Sequence, residues 1–192
     1  MGSRPVPGAP GRLPVDVETG RRGDAGSARL AGSRGPRGAQ ARAHRYLGSA
    51  YADLGRYDDA HLHLRRALDL SDDLGDHAGA AWTHDYRSLV FEQQGRDADA
   101  LDAAQRALDL FDAAGDRVGQ AVALSDVGWF QGRLGNHQQA LASCSRALAL
   151  HQELDNRPYQ AHAWSCLGDT HQHLGNRSRA VGCYRQALDL FR

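Results

Sequence analysis

The sequence predicts an all-α solenoid, and three observations carry that prediction. The stretch GRYDDAHLHLRRALDL, beginning at Gly55, returns as GRDADALDAAQRALDL from Gly95, GNHQQALASCSRALAL from Gly135 and GNRSRAVGCYRQALDL from Gly175, a constant step of 40 residues. Within each copy, small and apolar residues such as Ala60, Leu64, Ala67, Leu68 and Ser71 recur at intervals of three and four, which places them on one face of a helix. A glycine opens each of these stretches, where a left-handed residue ends the preceding helix. A fixed period of this length, with two helical segments in each unit, describes stacked antiparallel helix pairs that share a continuous core.

Taken in order, residues 1–36 hold five of the six prolines together with many Gly, Ser and Arg. Such a segment buries too little apolar surface to offset the entropy of ordering it, so it is expected to be a disordered basic tail. The four repeats then occupy 37–76, 77–116, 117–156 and 157–192. Helices are expected at roughly 37–54, 57–73, 77–94, 97–113, 117–134, 137–153, 157–174 and 177–192. Asp76, Asp116 and Asn156 stand where they can cap the next first helix, and Pro158 falls in a first turn, where its missing N–H costs nothing.

The small residues identify the repeat. Gly48 and Ala60 allow the two helices of a unit to approach closely, and Ala67 does the same toward the next unit. With Leu47, Gly48, Tyr51, Ala60, Leu64 and Ala67, the first unit resembles the tetratricopeptide repeat; Trp164, Leu167, Gly168, Ala180, Tyr184 and Ala187 make the last unit more similar still. The 40-residue period is longer than the family's usual 34 and resembles the long repeats of bacterial transcriptional regulators and signal-transducing ATPases. The second unit departs from the pattern, with Arg87 for leucine and Ser88 for glycine. Every one of the 23 basic residues is Arg and Ile is absent, a composition similar to that encoded by GC-rich bacterial genomes such as those of actinobacteria.

The resemblance implies a right-handed superhelix whose concave groove, lined by the first helix of each unit, holds a protein or peptide segment. Transferred position by position, it nominates Arg45 in the first unit, Trp82 and Asp85 in the second, Trp129 and Arg133 in the third, and His162 and Asp169 in the fourth. Trp82 and Trp129 are either peptide anchors or side chains packed between units.

Catalysis finds no support. There is no phosphate-binding glycine loop, no nucleophile–base arrangement and no paired carboxylate outside solvated faces, so neither an enzyme nor a cofactor is expected. His61 with His63 and His171 with His173 form His-x-His pairs, but side chains two apart on a helix diverge, which argues against a metal. Cys144, Cys166 and Cys183 have no metal-type spacing and read as buried small hydrophobes in a reducing, cytoplasmic setting. No apolar run approaches a membrane span.

Charge is unevenly placed. Residues 1–42 carry eight Arg against Asp16, Glu18 and Asp24, while the remaining residues are acidic by the same margin. The tail lacks aromatic interleaving, which argues against nucleic acid as its partner. Leu190, Phe191 and Arg192 form no polar capping helix, which implies self-association through the last repeat or a longer chain. The reading is therefore a non-catalytic interaction module. Its alternative is the regulatory portion of a transcriptional regulator or signalling ATPase whose effector domain lies outside these residues.

Overall fold

The computed structural model describes residues 35–191. Their regular structure is helical throughout: α1 (Gly35–Asp53), α2 (Tyr57–Asp73), α3 (His77–Gln93), α4 (Asp97–Ala114), α5 (Arg117–Arg133), α6 (His137–Glu153), α7 (Arg157–His173) and α8 (Arg177–Asp189). Residues 1–34, and with them nearly all of the expected disordered tail, lie outside the described residues. Gly35 and Pro36, counted with that tail, instead open α1; a proline in the first turn sacrifices no helical hydrogen bond.

Every helix packs against the next in the chain, and the first helices of neighbouring repeats also touch. This layering explains the contrast between the two helices of a unit. The second helix α2 buries only Ala60, Leu64, Ala67 and Ser71, a single stripe. The first helix α3 buries 11 of its 17 residues, because second helices cover it on two sides. The core is rich in alanine: Ala81, Ala100, Ala104, Ala107 and Ala123 are fully buried around Phe111 and Phe130. Dense small side chains bring helix backbones close together, at the cost of the larger apolar area that leucines would bury.

Close approach is sharpest at the repeat glycines. A Cβ at Gly48 would lie 2.7 Å from Leu64 Cγ, one at Gly128 2.4 Å from Cys144 Sγ, and one at Gly168 2.6 Å from Tyr184 Cε1. Ser88 takes this place in the second repeat, and it fits because the facing column there holds Ala104 where the other units have Leu64, Cys144 and Tyr184. Arg87, its neighbour, is half-buried with its guanidinium 5.7 Å from the Phe91 ring centroid, a cation–π contact that partly replaces hydration.

The termini follow their sequence signals with one exception. Gly55, Gly95, Gly135 and Gly175 have φ of +70° to +81°, the left-handed stop. Asp76 accepts from the Gly79 amide at 2.6 Å and Asp116 from the Gly119 amide at 3.0 Å, but Asn156 makes no side-chain cap bond. A Cβ at Gly79 would fall 2.4 Å from the capping carboxylate of Asp76; Tyr159 stands at the equivalent place after Asn156, so that cap cannot close in the same way.

The cysteines correct the sequence reading. Cys144 of α6 and Cys166 of α7 form a disulfide that joins the third repeat to the fourth, with Cα atoms 6.4 Å apart; Cys183 is free and buried. The bridge occupies the column where Leu64 and Tyr86 share a buried cluster between the first two repeats. It therefore replaces an apolar inter-repeat contact with a covalent one. Among the described residues no helix is long and apolar enough to cross a membrane.

Candidate partner-binding surface

Repeat geometry brings the last turn of each first helix beside the first turn of the preceding second helix. Along this edge, Asp53, Gln93, Arg133 and His173 occupy one column, at successive steps of 40 residues. Gln93 Nε2 donates to Asp53 Oδ1 at 3.2 Å, and the Tyr57 hydroxyl donates to the Gln93 carbonyl at 3.3 Å. Arg133 Nε donates to Asp97 Oδ1 at 2.9 Å in a partly shielded ion pair. One step further, the His137 and His173 rings stack with centroids 4.9 Å apart and planes only 6° from parallel.

The centre of this edge is Trp129. It is half-buried, its indole Nε1 donates to Glu92 Oε1 at 2.7 Å, and the Arg133 guanidinium carbon lies 5.9 Å from its ring centroid. Glu92 and Asp97, both from the second repeat, thus hold an aromatic ring and an arginine of the third in fixed orientation. A large ring whose rotamer is already set loses little entropy when a partner covers it.

The other nominated residues are distributed differently. Trp82 is buried, packed edge-on against Phe111 with centroids 4.9 Å apart, and is part of the core. Asp85 is also buried. Arg45, at the same column one repeat earlier, is 4% exposed and donates from Nη1 to the Gly79 carbonyl at 3.1 Å. Three of the seven residues are thus enclosed rather than presented to a partner. For Trp82 the covering group is Phe111, near the end of α4, which also packs against Gly119 in the first turn of α5. Val122 and Ser125 are buried at equivalent columns.

His162 and Asp169 are half-buried. Asp169 stands in the Trp129 column and accepts from the Tyr184 hydroxyl at 2.6 Å. Burial, together with that bond to a carboxylate, pushes the Tyr184 hydroxyl well above its ordinary pKa. His162 adds its charge to the surroundings of His151, whose ring is buried with Nε2 3.2 Å from Ser125 Oγ and stacks on Tyr159. Burial first, and the His162 charge second, lower His151 to about 4, so it is a neutral core side chain. His84 is lowered to about 4 by burial and by Arg87 and Arg106.

The sequence reading missed Glu92, Asp97 and His137. Their signal is offset by 36 or 37 residues, one turn short of the repeat, and so is invisible when repeats are compared column by column. Among the described residues no group of three or more His, Cys, Asp or Glu side chains is placed to hold a metal ion.

Comparison with known proteins fits this architecture. Comparison with curated protein sequences gives no match. Among solved structures the chain is similar to BtubC from P. vanneervenii (21% identity, TM-score 0.68, covering 77% of this chain and 61% of that one). It is also similar to aspartyl phosphate phosphatase F from Bacillus subtilis (16% identity, TM-score 0.72, covering 79% and 40%). A signal transduction ATPase with a tetratricopeptide repeat sensor from Pyrococcus horikoshii shows 16% identity and a TM-score of 0.71, covering 86% and 26%. The chain thus spans less than two thirds of the length of each, and at these identities the likeness speaks for the fold. The family profile described as tetratricopeptide repeat matches residues 39–113 and 114–192. With that match over nearly all of the described residues, and stacked helix pairs whose close approach is made by Gly48, Ser88, Gly128 and Gly168, the chain belongs to the tetratricopeptide repeat family.

Proposed function

We propose that the chain is a non-catalytic interaction module that holds a protein or peptide segment along the edge formed by Asp53, Gln93, Trp129, Arg133 and His173. The observation that carries this reading is the Trp129–Arg133 pair, fixed across a repeat junction by Glu92 and Asp97. The partner segment supplies an apolar or aromatic side chain to cover the indole and a carboxylate to share Arg133. Trp82, Asp85 and Arg45 act behind this surface, through packing. The same edge serves if the array is the regulatory portion of a transcriptional regulator or signalling ATPase; its partner is then the effector domain of the same polypeptide.

The test is selection of displayed random peptides on the immobilised chain, repeated with Trp129→Ala combined with Arg133→Ala. Both side chains lie at the surface edge, so helical circular dichroism stays as in the parent. Peptides retained by the parent and lost on the double variant support the assignment. Equal retention on both sinks it.

A further inference from the structure

The two end faces of the array complement each other. Among the described residues, seven large apolar side chains are exposed, and five of them, Leu47, Leu54, Val181, Leu188 and Phe191, lie on α1 with its C-cap or on α8 with the residues that follow it. Each falls in a column that is used at the junctions between repeats. Leu108 and Val127 share one buried cluster and Leu148 and Leu167 another; the next pair in that series is Leu188, 56% exposed, and Leu47, 43% exposed. His61 meets Gln94 across the first junction, and the same offset pairs Val181 with Leu54, which at 72% is the most exposed of the seven.

Polar columns extend the match. Gln120 Nε2 donates to the Phe111 carbonyl at 3.4 Å and Gln160 Nε2 to the His151 carbonyl at 3.1 Å, each stitching a first helix to the end of the preceding second helix. Gln40 of α1 holds that column, and the carbonyl it would meet is that of Phe191. The ion pair between Asp97 and Arg133 has Arg177 and Asp53 as its counterpart, with opposite charges again but exchanged. The match is not an identical copy: Ala39 stands where Gly119 receives the Phe111 ring, so the Phe191 ring has to turn aside.

We propose that the α8 face of one copy docks on the α1 face of a second copy, continuing the stack of repeats from chain to chain. The contact is heterologous, since two different faces meet. Each copy therefore keeps one free donor face and one free acceptor face, and assembly continues beyond the dimer.

Sedimentation velocity of the full chain over a concentration series tests this. The parent is expected to grow past the dimer as concentration rises. Leu188→Asp and Leu47→Asp each place a charge in the apolar junction and weaken assembly by roughly a hundredfold, leaving monomers with parental circular dichroism. Mixed in equal amounts, the two variants retain one intact face each and form dimers that go no further. Arg177→Asp weakens assembly, and combining it with Asp53→Arg restores it. A parent that stays monomeric throughout, as it would if residues 1–34 of the same chain covered α1, overturns the proposal. So does assembly that Leu188→Asp abolishes and Leu47→Asp leaves untouched, the signature of a symmetric dimer through α8 alone.

Discussion

Replacing His151 with glutamine tests the electrostatics of the core most directly. In the folded chain His151 is buried, hydrogen-bonded through Nε2 to Ser125, stacked on Tyr159, and holds a pKa of about 4, against the ordinary 6.5 of an unfolded chain. Between these two values the unfolded state binds the proton that the folded state refuses. Stability from this group is therefore fully present above pH 6.5 and is lost as pH falls toward 4. Linkage over the interval from pH 7 to pH 5 gives a loss of about 2 kcal/mol, nearing about 3 kcal/mol at pH 4. Glutamine can keep a hydrogen bond to Ser125 and does not titrate. Urea unfolding of parent and His151→Gln at pH 7, 6 and 5 reads the difference; the variant should lack the additional 2 kcal/mol or so of acid destabilisation. Parallel stability profiles for the two proteins would refute the burial argument, whatever the absolute stabilities.

The repeat glycines separate by environment. Gly128→Ala drives a methyl into Cys144 Sγ and should cost about 1–3 kcal/mol, whereas Gly132→Ala meets only Ala140 Cβ at 3.8 Å and should stabilise by about 0.5–1 kcal/mol through helix propensity; thermal unfolding distinguishes them. Gly95→Ala, at φ +71°, should destabilise by about 1 kcal/mol although its surroundings are open. Reduction of the Cys144–Cys166 bridge, whose partners are 22 residues apart, should lower stability by about 3 kcal/mol. A count of three reactive thiols in the unreduced, denatured chain would refute the bridge.

Much of the fold was legible because repetition averages the signal. Four copies of Gly-x-x-x-x-Ala and of the column of Ala67, Ala107, Ala147 and Ala187 place the eight described helices to within a few residues, and the left-handed glycines set their ends. The surface was less legible. Family positions assumed a groove open along the whole first helix, and Trp82, Asp85 and Arg45 were nominated on that basis. Packing between repeats closes it at these positions: Phe111 lies against Trp82, Arg45 reaches the Gly79 carbonyl of the next repeat, and Asp85 is fully buried. The disulfide was hidden for a different reason. Cys144 and Cys166 lie on different helices of different repeats, and only the stacking offset of 22 residues brings them together.

Stacking also decides where variation is tolerated. Columns inside the stack leave no room for an added Cβ, so facing residues are matched in size: glycine against leucine, cysteine or tyrosine, and serine against alanine. At the edge formed by the last turns of the first helices, each junction satisfies its polar groups in its own way. The Gln93 and Tyr57 pair uses a neutral hydrogen bond, Arg133 and Asp97 an ion pair, and His137 and His173 a ring stack. None of these side chains is fully buried. Chemical diversity can therefore accumulate along this edge at little cost to stability, since surface substitutions away from core, caps and strained backbone rarely exceed about 0.5 kcal/mol. A surface free to vary while its backbone is held rigid is what selective recognition of an extended partner requires.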